Sequence, residues 1–211
     1  LANFGDLGHD TDTLLCPVDT FGSESVVGPN PEGWVDSAQS LGVKWKDTTP
    51  NRIVSLSGSK IITTGEGGIL LTQDEDLKKF AEMNDWFSRM PEMSAALGLA
   101  YWELMPKILE KKARIAEAYR KHLPDIQWQR VPSQTNNYIV AGLVDAPMNF
   151  KLANPGWDMR QYYDTIISES NERTPMANLD ALPNTKSVSS RIVAFPSWSG
   201  MPIERIAEIR L

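Results

Sequence analysis

Between Arg52 and Thr72 the chain alternates apolar runs with a knot of glycines, and this block narrows the choice of folds sharply. Arg52-Ile53-Val54-Ser55-Leu56-Ser57 is rich in β-branched and aliphatic residues and predicts a buried strand. Ile61-Ile62-Thr63-Thr64 and Gly68-Ile69-Leu70-Leu71-Thr72 flank Gly65-Glu66-Gly67, which predicts strand, glycine turn and strand, because glycine adopts positive φ without a steric penalty. Ser55 and Ser57, two residues apart on a strand, share one face, and Lys60 follows at the strand's end. Upstream, Trp34-Val35-Asp36 predicts another strand with an acid at its carboxyl end. Ser37 to Gly42 then makes a brief helical turn closed by glycine.

Helical periodicity takes over downstream. Asp74 caps a predicted helix running to about Asn84, with Leu77, Phe80 and Ala81 on its inner side. Met93, Leu97, Tyr101, Leu104, Ile108, Ile115 and Tyr119 recur at helical spacing and predict one face of a long helix, serving core or dimer packing. Pro106 interrupts that stripe, which predicts a kink or a break and a domain boundary there. After Leu123-Pro124 the pattern predicts a strand over 136–144, a helix from Met159 to about Ser168, a strand from Ser189 to Phe195 and a terminal helix from Pro202. Residues 1–33, with short apolar pieces at 13–18 and 26–27, read as one short strand and loops. The expectation is an α/β chain with a mostly parallel sheet over residues 1–105 and a small α/β domain over 106–211.

Composition excludes several classes. With 41% hydrophobic and 23% charged residues, the 211-residue chain can bury a core. Its net charge of -6 disfavours nucleic acid, and the densest basic run, Lys107 to Arg120, is interspersed with Glu110 and Glu117 as on a solvated helix face. Cys16 is the single cysteine, so no internal disulfide is expected. His9 and His122 lie far apart without other ligands at metal-binding spacing, so no metal is expected, and His122 decorates a helix carboxyl terminus. No apolar run reaches the roughly 20 residues needed to span a bilayer. The start, from Leu1, lacks a signal-peptide pattern and a Met. A soluble, cytoplasmic protein whose true amino terminus lies upstream is expected.

Ligands of open α/β sheets gather at the carboxyl ends of strands, where Asp36, Ser55 and Lys60 fall. A lysine, a carboxylate and a phosphate-binding hydroxyl converging there would suit pyridoxal phosphate. The lysine forms the Schiff base, and the carboxylate keeps the ring nitrogen protonated. The same residues have plainer readings. Lys60 can be a solvated surface lysine, Asp36 a cap for the turn at Ser37, Gln39 a surface side chain, and Ser55 a hydroxyl bonded to backbone. Ser57-Gly58-Ser59-Lys60 also fits the Ser-x-x-Lys of penicillin-binding hydrolases, but its serine follows a strand pattern and no Lys-Thr-Gly occurs.

The whole string from Ser55 to Gly68 resembles the Schiff-base segment of the DegT/DnrJ/StrS sugar aminotransferases: a serine, a lysine five residues on, and a Thr-Gly-Glu-Gly-Gly turn. Asp36-Ser37-Ala38-Gln39-Ser40-Leu41-Gly42 is similar to that family's Asp-Ala-Ala-Gln-Ala-Leu-Gly. Arg89-Met90-Pro91-Glu92-Met93-Ser94-Ala95-Ala96-Leu97-Gly98-Leu99 is similar to its Arg-Met-Ser-Glu-Ile-Gln-Ala-Ala-Leu-Gly-Leu, and 192–197 to its closing strand.

The resemblance implies part of a fold type I large domain, lacking its N-terminal portion, and a small domain. It implies pyridoxal phosphate as cofactor, with Lys60 as the Schiff-base lysine and proton carrier and Asp36 on the ring nitrogen. Gln39 would lie against the ring or its phenolic oxygen, Ser55 on the phosphate, and Arg89 at the substrate or in packing. The implied reaction moves an amino group from an amino acid, commonly glutamate, to a keto group of a nucleotide-linked sugar, in a homodimer. Two positions depart from the family: Ser57 stands where it has a histidine, and Phe87 where it has an asparagine. The alternative is an inert, cofactor-free homologue with a structural or regulatory role. A dehydratase relative is disfavoured because that branch replaces the lysine.

Overall fold

The structure, a computed structural model, describes residues 16–25, 33–45, 51–84, 89–130, 134–162 and 183–210. They form two compact units. One comprises the described residues up to Ala113 together with 134–138, and the other comprises Arg114–Arg130 and the described residues from Ile139 onward.

The first unit is built on a three-stranded sheet of order β1-β2-β3, with β1 at Trp34–Asp36, β2 at Asn51–Ser55 and β3 at Gly68–Leu71. β1 and β2 run parallel, with Asp36 opposite Ile53, and Val18 adds a parallel bridge to Asp36. β3 is antiparallel to β2, with Ser55 opposite Gly68. The described sheet is therefore mixed, not mostly parallel. Strand alternation sends Val35 and Val54 to a buried face, where Val54 joins Leu41, Leu56, Ile61 and Ile62. The opposite face carries Trp34, Asp36, Ile53 and Ser55 and is more open.

Ile61–Thr64 does not form the predicted strand. The chain turns soon after β2, Thr64 N donates to Leu56 O, and Leu56 N donates to Gly67 O, so the excursion closes on the single residue that follows the strand. Ile61 and Ile62 are buried as core side chains of that turn, while β3 pairs with β2 itself. Burial alone accounts for an apolar run that resembles a strand.

Helix α1, Glu75–Met83, starts where Asp74 accepts from Asp76 N at 2.9 Å and Leu77 N at 3.0 Å. Glu75 and Asp76 in its first turn complement the helix dipole. Leu77, Phe80 and Ala81 do not reach a core. Phe80 is 65% exposed, and the three line a shallow apolar trough with Trp34, Ile53 and Leu70 on the open side of the sheet.

Helix α2 runs unbroken from Glu92 to His122, passing through Pro106 without the predicted break. Proline deletes one backbone donor, and Pro106 is itself exposed. The flanking turns are held by packing of Tyr101, Met105, Ile108 and Leu109 on the first core. The buried stripe continues through Lys112, Ile115 and Tyr119. Met93, Leu97 and Leu104, predicted on that face, are exposed, Met93 to 87%. At 3.6 residues per turn they lie on its flank.

The second unit has an antiparallel sheet, β4-β5-β6, formed by Gln127–Trp128, Val140–Leu143 and Ile192–Phe195. Helices α3, Pro147–Ala153, and α4, Pro183–Ser189, are elements the sequence reading did not expect. Phe195 centres its aromatic core, with ring centroids 5.0 Å from Trp128, 5.2 Å from Tyr119 and 5.9 Å from Phe150. Such tilted and edge-on contacts suit the quadrupoles of aromatic rings. Tyr119 donates to Pro196 O at 2.8 Å, and burial pushes its phenol pKa up.

Arg160, expected in a helix, instead bridges Ala194 in antiparallel fashion. The remainder of that expected helix, from residue 163, lies outside the described residues. The closing segment is a 3-10 turn at Ile203–Glu208, and His122 at the end of α2 lies 3.1 Å from the Ile209 carbonyl. Among the described residues no helix is long and apolar enough to cross a membrane.

Candidate functional site

Asp36 ends β1 and Ser55 ends β2, on adjacent parallel strands. The pairing of Asp36 with Ile53 puts Asp36 and Ser55 on one face at one sheet edge. Asp36 Oδ1 accepts from Ala38 N at 2.9 Å and so caps the turn that follows. A carboxylate has a second oxygen, so capping and pairing with a ligand do not exclude each other. Ser55 Oγ accepts from Ser57 N and lies within reach of Ser57 Oγ, both at 3.3 Å.

Lys60 lies in the turn leaving that edge, with its amide donating to Ser57 O at 3.0 Å. Its side chain is half-buried, and Nζ sits 5.2 Å from the centroid of the Tyr138 ring. The glycine turn beyond needs glycine at two positions: Gly65 has φ +83° and Gly67 φ +142°. A Cβ on Gly67 would lie 2.8 Å from Met90 Cε and 3.0 Å from Thr64 Oγ1. Arg89, next to Met90, is exposed. Phe87 lies outside the described residues.

The turn carrying Gln39 is anchored by a buried charge the sequence reading passed over. Asp19 is fully buried. Its Oδ2 accepts from Ser37 Oγ at 2.8 Å, Ser40 Oγ at 2.6 Å and Arg52 Nη1 at 3.1 Å, and its Oδ1 accepts from Ser25 N at 2.9 Å. The Arg52 guanidinium also stacks 4.5 Å over Trp45. Gln39 Oε1 accepts from Phe21 N at 2.6 Å, and Phe21 takes a left-handed φ of 59° to deliver it. The sequence signal for Asp19 was faint: an acid in a loop-like stretch, with its partner arginine in a strand.

Residues 134–138, of which 136–138 are expected from sequence to start a strand, belong to the first unit and lock onto this turn. Asn136 is buried, its Nδ2 donates to Gln39 O at 2.7 Å and Leu41 O at 2.9 Å, and its Oδ1 accepts from Tyr138 N at 2.8 Å. Lys112 of α2, also buried, donates to Tyr138 O at 3.2 Å and lies 5.9 Å from the same ring.

Burial lowers the Lys112 pKa from 10.5 to about 8. Between those values the unfolded chain holds the extra proton, so stability gains from this group as pH rises from about 8 to 10.5, by at most about 1.4 kcal/mol per pH unit. The Lys112→Met variant is expected to lack that slope. The parent's urea midpoint should rise relative to the variant's as pH increases across this range, and parallel curves would refute the assignment.

The described residues share their fold with aminotransferases. Helicobacter pylori PseC, an aminotransferase involved in the biosynthesis of pseudoaminic acid, matches with TM-score 0.76 and 16% identity, over 92% of this chain and 64% of that one. A DegT DnrJ EryC1 StrS aminotransferase from Brucella abortus matches with TM-score 0.72 and 18% identity, over 92% and 62%. E. coli GDP-4-keto-6-deoxy-D-mannose-3-dehydratase with bound hydrated PLP matches with TM-score 0.71 and 13% identity, over 95% and 67%. The fold is thus that of the fold type I pyridoxal-phosphate enzymes.

The model of the DegT/DnrJ/EryC1/StrS aminotransferase family matches residues 34–87 and 81–210, and the chain belongs to that family. Among curated relatives, the GDP-perosamine synthase of Vibrio cholerae is 26% identical over 184 residues, covering 74% of this chain and 49% of the relative. That of E. coli O157:H7 is 28% identical over 109 residues, covering 42% and 30%. The chain spans about half the length of the first of these.

Proposed function

We propose that this chain is the cofactor-binding and small-domain part of a pyridoxal-phosphate-dependent aminotransferase. It would move an amino group from an amino acid, glutamate in our reading, to a keto group on a nucleotide-linked sugar. The observation that carries the reading is the placement of Asp36 and Ser55 on one face of one sheet edge, with Lys60 in the turn that leaves it. That donor set suits the group: an amine for its aldehyde, a carboxylate for its ring nitrogen and a hydroxyl for its phosphate. When bound, pyridoxal phosphate supplies a carbonyl that captures amines and a ring that accepts electron density.

The chain's own part is binding and proton movement. Lys60 Nζ would hold the group covalently and then carry the proton. Asp36 would keep the ring nitrogen protonated through the oxygen not engaged in capping. Ser55 Oγ would donate to a phosphate oxygen. Gln39, its Oε1 held by Phe21 N, would present its amide NH2 to the ring's phenolic oxygen. Arg89 would contact the substrate. We draw the boundary within α2, with residues 1–105 as the large-domain portion and 106–211 as the small domain, although 106–113 and 134–138 pack with the first unit. The inert-homologue alternative gains nothing from these residues, because Lys60 keeps the serine five positions before it and the Thr-Gly-Glu-Gly-Gly turn after it.

A homodimer in the cytoplasm goes with this reading. The exposed apolar side chains Met93, Leu99 and Trp102 on α2 support the dimer, and a light-scattering mass equal to one chain would count against it. The decisive experiment incubates the protein with pyridoxal phosphate, reduces with borohydride and maps the adduct. Amino transfer from glutamate to a GDP-linked keto sugar is then followed by mass spectrometry, the sugar chosen because the curated relatives are GDP-perosamine synthases. Visible absorption and a single adduct on Lys60 are expected. A colourless protein without adduct would overturn the proposal.

A further inference from the structure

We propose that Tyr138 is a positioning residue for the Lys60 amine and that Asn136 locks it in register with the Gln39 turn, an inference that rests on the role given to Lys60 above. Three observations converge on it. The Lys60 ammonium lies 5.2 Å from the Tyr138 ring centroid, inside the range over which a cation is drawn to an aromatic face. The phenolic oxygen of Tyr138 sits 3.2 Å from Ser59 Oγ, tying the ring to the residue that precedes the lysine. The backbone carrying the ring is fixed from the other side, since Asn136 joins Tyr138 N to the carbonyls of Gln39 and Leu41 through one buried amide.

This lock extends further along the chain. Asn136 N donates to Gly22 O at 3.0 Å, Thr135 Oγ1 to the same carbonyl at 2.9 Å, and Asn137 N to Thr135 Oγ1 at 3.0 Å. Asn137 holds a left-handed φ of 50° within this network. Asparagine tolerates this region better than most non-glycine residues, and the bond from its amide to Thr135 Oγ1 fixes the turn there. Gly22, at φ +82°, leaves the space that Asn136 occupies, because a Cβ there would collide with the Asn136 side chain.

A lysine side chain has four rotatable carbons, and each rotamer it loses on being aimed costs entropy. An aromatic wall that attracts the ammonium and is itself immobile narrows those rotamers before any cofactor arrives. Gln39 and Lys60 then face the cofactor from one rigid framework, although the residues that join them lie about a hundred positions away in sequence. The mechanism requires the ring, while the hydroxyl only steadies it.

The test uses the full chain without cofactor. Lysines are reductively methylated with 13C-formaldehyde, and the Lys60 methyl resonance is assigned with a Lys60→Arg sample. In the parent, the resonance should be displaced upfield by the Tyr138 ring. Tyr138→Phe should keep the displacement and Tyr138→Leu should lose it. Asn136→Ala should lose it too while leaving the ring present. Tyr138→Met replaces the leucine variant should that one not fold.

The cofactor provides a second readout. Affinity for pyridoxal phosphate should fall about threefold in the leucine variant and stay at the parent level in the phenylalanine variant. A Lys60 resonance identical in parent, phenylalanine and leucine proteins would overturn the inference. If the ring-current signature holds but no adduct ever forms on Lys60, the aminotransferase reading fails and the positioning by Tyr138 stands. If an adduct forms without the signature, the reverse follows.

Discussion

Lys60→Ala is expected to remove amino transfer by at least about 10³-fold, the scale set by loss of a positioned proton carrier, and to abolish the borohydride-stable adduct at residue 60. The fold should survive. Lys60 is half-buried and its described packing is on the Tyr138 ring, so stability should stay within about 0.5 kcal/mol of the parent, as for other surface substitutions. Retained activity in a folded Lys60→Ala protein would remove the basis of the functional proposal.

Asp36 supplies the matching contrast, because it caps the turn at Ser37 and, in the function proposed above, also holds the ring nitrogen. Asp36→Ala removes the Oδ1 that receives Ala38 N and should cost about 1 kcal/mol of stability along with activity. Asp36→Asn keeps a capping oxygen and loses only the charge. It should therefore unfold like the parent while activity falls about 10²-fold, as expected when one electrostatic contact to the reacting ring is lost. Equal stability losses in the two variants would show that the carboxylate's charge, not its acceptor geometry, holds the turn.

How far the sequence foretold this arrangement depended on the range of the interactions involved. β2, the Lys60 turn and the Asp74 cap are written in neighbouring residues: β-branched runs, glycines at positive φ and an acid before a helical stretch. They were legible. The partner of β3 was not, because the choice between Ile61–Thr64 and β2 depends on which backbone groups the turn leaves unpaired, and Leu56 satisfied both ends of the loop.

The same limit hid the Asn136–Tyr138 segment. Its β-branched continuation, Ile139-Val140, suggested one long strand, but Asn136 spends its hydrogen bonds on Gln39 and Leu41, and only Val140–Leu143 pairs as a strand. Pro106 misled for the opposite reason. A local helix breaker was overridden by the packing of Tyr101, Met105, Ile108 and Leu109 on either side of it. Asp36 and Gln39 share one short motif and Ser55 and Lys60 another, so their proposed roles rest on neighbouring residues, whereas Asp19, Asn136 and Tyr138 act across many intervening residues.

Asp19 is where that long-range wiring should be most costly to cut. Asp19→Ala is expected to destabilise the first unit by about 3–5 kcal/mol, because it takes a fully buried carboxylate from Arg52 and strips acceptors from Ser25, Ser37 and Ser40 together. The loss belongs to the buried donors deprived of that carboxylate more than to the bonds themselves. The double variant Asp19→Leu with Arg52→Met, which takes both charges out of the core, should therefore recover a substantial part of it. Urea unfolding midpoints of the single and double variants measure the difference. Because the pair also fixes Ser37 and Ser40 on either side of Gln39, a double variant that regains stability should still bind pyridoxal phosphate more weakly than the parent. If Asp19→Ala unfolds within about 1 kcal/mol of the parent, water or another acceptor must be reaching Arg52, and the Asp19 network cannot be what holds the Gln39 turn in place.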